Sequence, residues 1–229
     1  MTRAPDPDLL AEVRGVLRSA ADPGRAPGMQ AYMKSEMPFL GIARPALLAA
    51  LRPVWAAHPV PDRPTWEGCV RALYDEAEYR EERYAALALL ERGRRWRDPA
   101  LLPLLEHLIV SGAWWDLVDQ VVGRTLAPLR RACPAETDPV LRSWSRGDDL
   151  WLRRASVLSQ LGGRGDVDRD LLTELVLAAA PSREFFLRKA IGWALRDLAH
   201  HDPDWVRRFL DEHGDELSPL SVREAAKHL

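Results

Sequence analysis

Residues 98–112 read DPALLPLLEHLIVSG, and residues 114–131 follow as WWDLVDQVVGRTLAPLRR. Leu101, Leu104, Leu105 and Leu108 recur every three or four positions, the spacing that stacks side chains on one face of an α-helix. The same pairing of a plain apolar helix with a more charged, tryptophan-bearing one returns three times. DPVLRSWSRG (138–147) precedes DDLWLRRASVLSQLGG (148–163), and DRDLLTELVLAAA (168–180) precedes REFFLRKAIGWALRDLAHH (183–201). DPDWVRRFLDEHG (202–214) precedes LSPLSVREAAKHL (217–229). Units of roughly 30–40 residues match two-helix solenoid repeats, which bury their apolar faces only against neighbouring repeats.

Working outward, no segment alternates β-branched and polar residues as a strand does, and no Asn-Gly or Asp-Gly pair marks a hairpin. Asp-Pro pairs at Asp6, Asp98, Asp138 and Asp202 predict an N-cap followed by proline in the first helical turn. Gly162, Gly163 and Gly214 predict stops, and Gly162–Asp168 is expected to be the longest non-helical piece. With no domain-sized shift in composition, residues 1–229 are expected to form one all-α domain, a continuous superhelix. The charged second helices are expected to line its concave face, and the plainer first helices its outer layer.

The apolar share of 47% and charged share of 29% exclude a disordered chain. No apolar run approaches the roughly 18 residues of a membrane span. The opening MTRAPDPDLLAEVRGVL lacks the apolar core of a signal peptide, so a cytoplasmic protein is expected. Cys69 and Cys133 have no neighbours at metal-ligand spacing and read as reduced core residues. His107, His200 and His201 likewise lack ligand spacing, and no metal is expected. A net charge of −2 is low for a nucleic-acid binder, but the local field of one face matters more than the sum. Of the 32 basic residues all but Lys34, Lys189 and Lys227 are arginine, whose planar fork suits phosphate and aromatic partners.

Chemistry concentrates on four residues. Trp115 and Asp119 lie four apart, so one helical face carries an indole beside a carboxylate. Arg154 stands in DDLWLRRASVLSQL and Trp193 in REFFLRKAIGWALRDL. An acid among aromatic faces and a guanidinium suits a cationic sugar or base on a phosphate backbone. Lys189, Trp193 and Arg196 form one basic-aromatic helical stripe, so Lys189 and Arg196 are candidate phosphate contacts. Taken alone, Asp119 reads more readily as a solvated helix residue or a partner of Arg124 than as a catalytic group. Trp55, Trp66, Trp96, Trp144 and Trp205 read as core, and Trp114 and Trp151 as packing between repeats.

In order along the chain, AYMKSEMPFLGIARP (31–45), YREERYAALALL (79–90), SGAWWDLVDQ (111–120), LWLRRASVLSQL (150–161) and FFLRKAIGWALRDL (185–198) resemble the DNA alkylation repair family of HEAT-like repeats, the AlkD-type alkylpurine DNA glycosylases. The resemblance covers nearly the whole chain. It implies a right-handed superhelical solenoid of HEAT-like helical pairs. It also implies a cofactor-free, monomeric, monofunctional glycosylase that removes N3- and N7-alkylpurines from duplex DNA without extruding the base into a deep pocket. Within it Asp119 matches the catalytic carboxylate, and Trp115 and Trp193 match the two active-site indoles. Arg154 matches a basic residue that contacts the DNA backbone beside the lesion. Tyr32 resembles an aromatic that approaches the DNA from the first repeats. The competing reading is a non-catalytic HEAT-like scaffold binding DNA or protein, in which Asp119 is incidental.

Overall fold

The computed structural model describes residues 5–229, and the described residues contain helices, turns and loops but no strand. The α-helices are α1 (Pro7–Ser19), α2 (Ala26–Met33), α3 (Arg44–Ala57), α4 (Arg63–Asp75), α5 (Arg80–Arg92), α6 (Leu102–Gly112), α7 (Trp115–Val121), α8 (Ala127–Ala132), α9 (Pro134–Arg146), α10 (Leu150–Leu158), α11 (Arg169–Ala179), α12 (Phe185–Ala199), α13 (Pro203–His213) and α14 (Pro219–Ala225). The fold is all-α, as the apolar periodicity predicts. No helix among the described residues is long and apolar enough to cross a membrane.

Three of the four Asp-Pro pairs cap a helical start. The Asp6 carboxylate accepts from the backbone N–H groups of Asp8 and Leu9 at 3.0 and 3.1 Å, Asp98 accepts from Ala100 at 3.0 Å, and Asp202 from Trp205 at 3.2 Å. Asp138 does not cap. α9 begins earlier, at Pro134, and Pro139 lies inside it. The Asp138 carboxylate is drawn instead to Arg130, whose Nε and Nη2 donate to it at 2.8 and 3.1 Å. A buried guanidinium competes more strongly for a carboxylate than one backbone N–H does. Cys133, expected in the core, is only half-buried and holds the position before α9, whereas Cys69 is buried.

The longest non-helical stretch is not Gly162–Asp168, which contains a short 3-10 turn, but residues 34–43 between α2 and α3. Glu81 explains why that stretch can be ordered without being helical. Fully buried in the first turn of α5, its carboxylate accepts the N–H groups of Leu40, Gly41 and Ile42 at 2.8, 2.9 and 3.0 Å. Three charge-assisted bonds satisfy backbone donors that would otherwise be stranded away from water. Gly41 is required there: its φ is +88°, and a Cβ would meet the Asp22 carbonyl at 2.1 Å.

The chain divides into two compact units, the first ending at Trp96 and the second spanning Arg97–Leu229. In the first, α1 packs on α3, α4 and α5, burying Leu9, Val13, Leu17, Leu47, Leu51 and Leu73. In the second, helices fall into two rows. One row runs α7, α10, α12, α14, each packed on the next, while α9 and α11 pack together behind it. This is the arrangement of helical pairs expected from the alternation of charged and plain helices. Gly192 lets the last two helices of the first row close up, since a Cβ there would meet the Glu224 Cβ at 2.4 Å and the Ser221 carbonyl at 2.9 Å.

Between α7 and α8 the chain winds a π-helical turn, Val122–Leu126. Such turns leave a backbone carbonyl without its usual partner and occur often at functional sites. Arg97 donates to the carbonyl of Arg124 at 3.2 Å in this turn. It directly follows the helix that carries Asp119.

Candidate active site

All four residues singled out around the carboxylate lie in the second unit, on its α7–α10–α12 row. α10 packs on both α7 and α12, and Arg154 links the three. Its Nε donates to Asp119 Oδ1 and its Nη2 to Oδ2, both at 2.8 Å, in a bidentate fork. Its Nη1 donates to the backbone carbonyl of Phe186 on α12. The residue is only 4% exposed, so its charge is held almost out of water. A buried guanidinium is tolerated when it is paired and hydrogen-bonded, and the fork with the Phe186 carbonyl uses three of its five N–H groups.

Asp119 is half-buried, with 15% of its side chain exposed. Burial pushes its carboxyl above the ordinary aspartate range; the Arg154 fork pulls it back, and the nearby Asp116 carboxylate adds to the rise. The outcome is a carboxylate with little water around it, one rigid cationic neighbour and an elevated affinity for protons. Burial plus a specific charged partner shifts carboxyls at functional sites and in structural ion pairs alike. Arg124, the alternative partner, is exposed and does not pair with Asp119.

Aromatic side chains brace this pair. Phe186 packs on Trp114 and Trp151 with ring centroids 5.2 Å from each, and the two indoles are 6.0 Å apart. These contacts span the connection before α7, α10 and α12. They fix the Phe186 carbonyl that holds Arg154, so Trp114 and Trp151 pack as the sequence predicts. Phe186 itself escapes sequence reading, because a backbone carbonyl leaves no trace in residue type.

Trp115 is the first residue of α7, half-buried, one turn before Asp119 on the same helical face. Trp193 is half-buried on α12, two turns after Phe186. Among the described residues neither ring is committed to another aromatic, unlike Trp114 and Trp151. Tyr32 belongs to the first unit, on α2, and is 77% exposed.

Lys189 and Arg196 are not free cations. Lys189 Nζ lies 3.0 Å and Arg196 Nη1 2.7 Å from the carboxylate of Glu224 on α14, and Lys227 Nζ donates to the same group at 2.9 Å. Lysine bonds hold the Glu224 carboxyl down at about 2. Glu224, buried in SVREAAKHL, escapes sequence reading because its partners on α12 lie 28 and 35 positions away. Among the described residues no group of His, Cys, Asp and Glu could hold a metal ion.

Comparison with known proteins agrees with this architecture. A solved structure described as a predicted DNA alkylation repair enzyme from Enterococcus faecalis superposes with a TM-score of 0.82 at 27% identity, covering 91% of this chain and 96% of that one. No curated protein matches. The family model for the DNA alkylation repair enzyme matches residues 13–229, running through both compact units. The chain therefore belongs to the DNA alkylation repair enzyme family.

Proposed function

We propose that the chain is a monofunctional DNA glycosylase that hydrolyses the N-glycosidic bond of cationic N3- and N7-alkylpurines in duplex DNA. The observation that carries this reading is the half-buried Asp119 carboxylate clamped at both oxygens by Arg154. A purine alkylated at N3 or N7 is already cationic. When the C1′–N9 bond breaks, its electron pair neutralises the base, and no general acid is needed. The sugar becomes an oxocarbenium ion, and water must reach C1′ and lose a proton.

Asp119 serves both needs. Its charge is pre-oriented by Arg154 and poorly hydrated, so it stabilises the developing sugar cation more strongly than an exposed carboxylate would. It also accepts a hydrogen bond from the attacking water. Trp115 and Trp193 supply indole faces to the cationic base and sugar, worth about 0.5–2 kcal/mol each. Arg154 acts first by positioning the carboxylate. Two of its five N–H groups remain beyond the three bonds described, and these are what a phosphate beside the lesion would engage. Lys189 and Arg196 reach phosphates by exchanging Glu224, and exposed Tyr32 meets the duplex from the first unit. Shallow, half-buried indoles fit a base attacked while stacked rather than one extruded into a pocket.

The test is release of free N7-methylguanine from methylated duplex DNA by the purified chain, with abasic sites left behind. Salt-dependent duplex binding without release of any alkylated base would instead favour a non-catalytic DNA-binding scaffold.

A further inference from the structure

Far along the sequence from Asp119, α3, α5 and the 3-10 turn Arg94–Trp96 of the first unit enclose an open recess of about 500 Å³. Arg52 from α3, Arg92 from the end of α5 and Arg94 from the turn line it, and all three are exposed. In the same unit Arg14, Arg18 and Arg44 are paired with acids. Arg52, Arg92 and Arg94 have no hydrogen-bond or ion-pair partner among the described residues. The single acid in the lining, Glu91, is held by Arg44 at 3.0 Å.

Neighbouring Arg95 shows what a structural arginine looks like in this place. Its guanidinium lies over the Trp96 ring at 4.0 Å and donates to the Val60 carbonyl at 2.6 Å. The end of α5 favours a cation through its dipole, which accounts for Arg92 alone. It does not account for Arg52, which comes from inside α3. The floor between the three is apolar, formed by Trp55, Ala88 and by Leu48, which is left 40% exposed.

We infer that this recess is a second DNA contact, holding consecutive backbone phosphates with a deoxyribose face against Leu48. The inference rests on duplex DNA being the partner, not on base excision. Uncommitted guanidinium forks over an apolar floor match a polymer that alternates phosphodiester anions with apolar sugar faces. The recess adds affinity and register without reading sequence, and it sits in the unit that does not carry Asp119. It offsets the low net charge by concentrating positive charge locally.

The test uses the full chain and an unmodified duplex. Phenylglyoxal modification of arginines, followed by mass spectrometry, should show Arg52, Arg92 and Arg94 protected when the duplex saturates the protein. The triple variant R52Q/R92Q/R94Q should fold with Tm lowered only slightly, since the three side chains are exposed and unpaired and only Arg92 gains from the α5 dipole. Its plot of log K against log salt should be shallower by roughly 0.9 for each phosphate that is no longer neutralised. Unprotected arginines with an unaltered slope overturn the inference. Equal protection by polyglutamate also overturns it, because the recess would then be a site for acidic protein. If the wild-type chain releases no base yet the slopes differ as expected, the glycosylase reading falls and the second DNA-binding surface stands.

Discussion

Both carboxylate oxygens of Asp119 are bonded by Arg154 at 2.8 Å, across 35 positions of sequence and between α7 and α10. The fork fixes where the negative charge points and dries its surroundings, and it makes each residue depend on the other. Without Arg154 the acid is a half-buried charge with no partner. Without Asp119 the guanidinium retains only the Phe186 carbonyl.

Arg154→Ala should therefore destabilise the fold by roughly 3–5 kcal/mol, read as a lower midpoint in urea. Arg154→Lys should recover part of that stability, because an ammonium restores the charge but cannot form the two-pronged fork. Base release should follow a different order. Lysine should remain well below wild type even at temperatures where both are fully folded, since the carboxylate is no longer held in one orientation.

The pH dependence follows from the same surroundings. Burial raises the Asp119 carboxyl above the ordinary aspartate range, and the ionised form is the active one. Base release should fall as pH drops through that elevated value, at a higher pH than an exposed aspartate would give. For stability the sign is opposite. The folded chain binds this proton more tightly than the unfolded chain, so this group's contribution is greatest in acid and is lost as pH rises through the folded value. Single-turnover rates and thermal midpoints measured across the same pH series separate the two effects.

Glu224 gathers Lys189, Arg196 and Lys227 around one buried carboxylate. Its depressed value of about 2 means that its contribution to stability is present at neutral pH and lost as pH falls from the ordinary glutamate range toward 2. Glu224→Gln should lower Tm at neutral pH, with the difference from wild type shrinking in acid. Freed of their shared counter-charge, the three cations should bind duplex DNA more tightly and with a steeper salt dependence.

What is legible in the sequence divides by the range of the interaction. Helices can be read because their signals are local: the spacing of Leu101, Leu104, Leu105 and Leu108, and the Asp caps before prolines. Asp138 misleads because its carboxylate answers to Arg130 rather than to its own backbone. The residues of the candidate site can be named, but not their pairing. Nothing near Asp119 announces Arg154, and nothing near Lys189 or Arg196 announces Glu224. The ordering of residues 34–43 depends on Glu81, about 40 positions downstream. Long-range charge pairing is set by packing, and composition carries no record of it.

In the proposed chemistry everything depends on the Asp119 charge stabilising the sugar cation. Asp119→Asn keeps the shape of the side chain and one acceptor for Arg154 but removes that charge. With N7-methylguanine duplex saturating both proteins at neutral pH, the variant's single-turnover release should be slower by on the order of 10²-fold or more, with duplex affinity little changed. Equal release rates for the folded variant and wild type would contradict the claim.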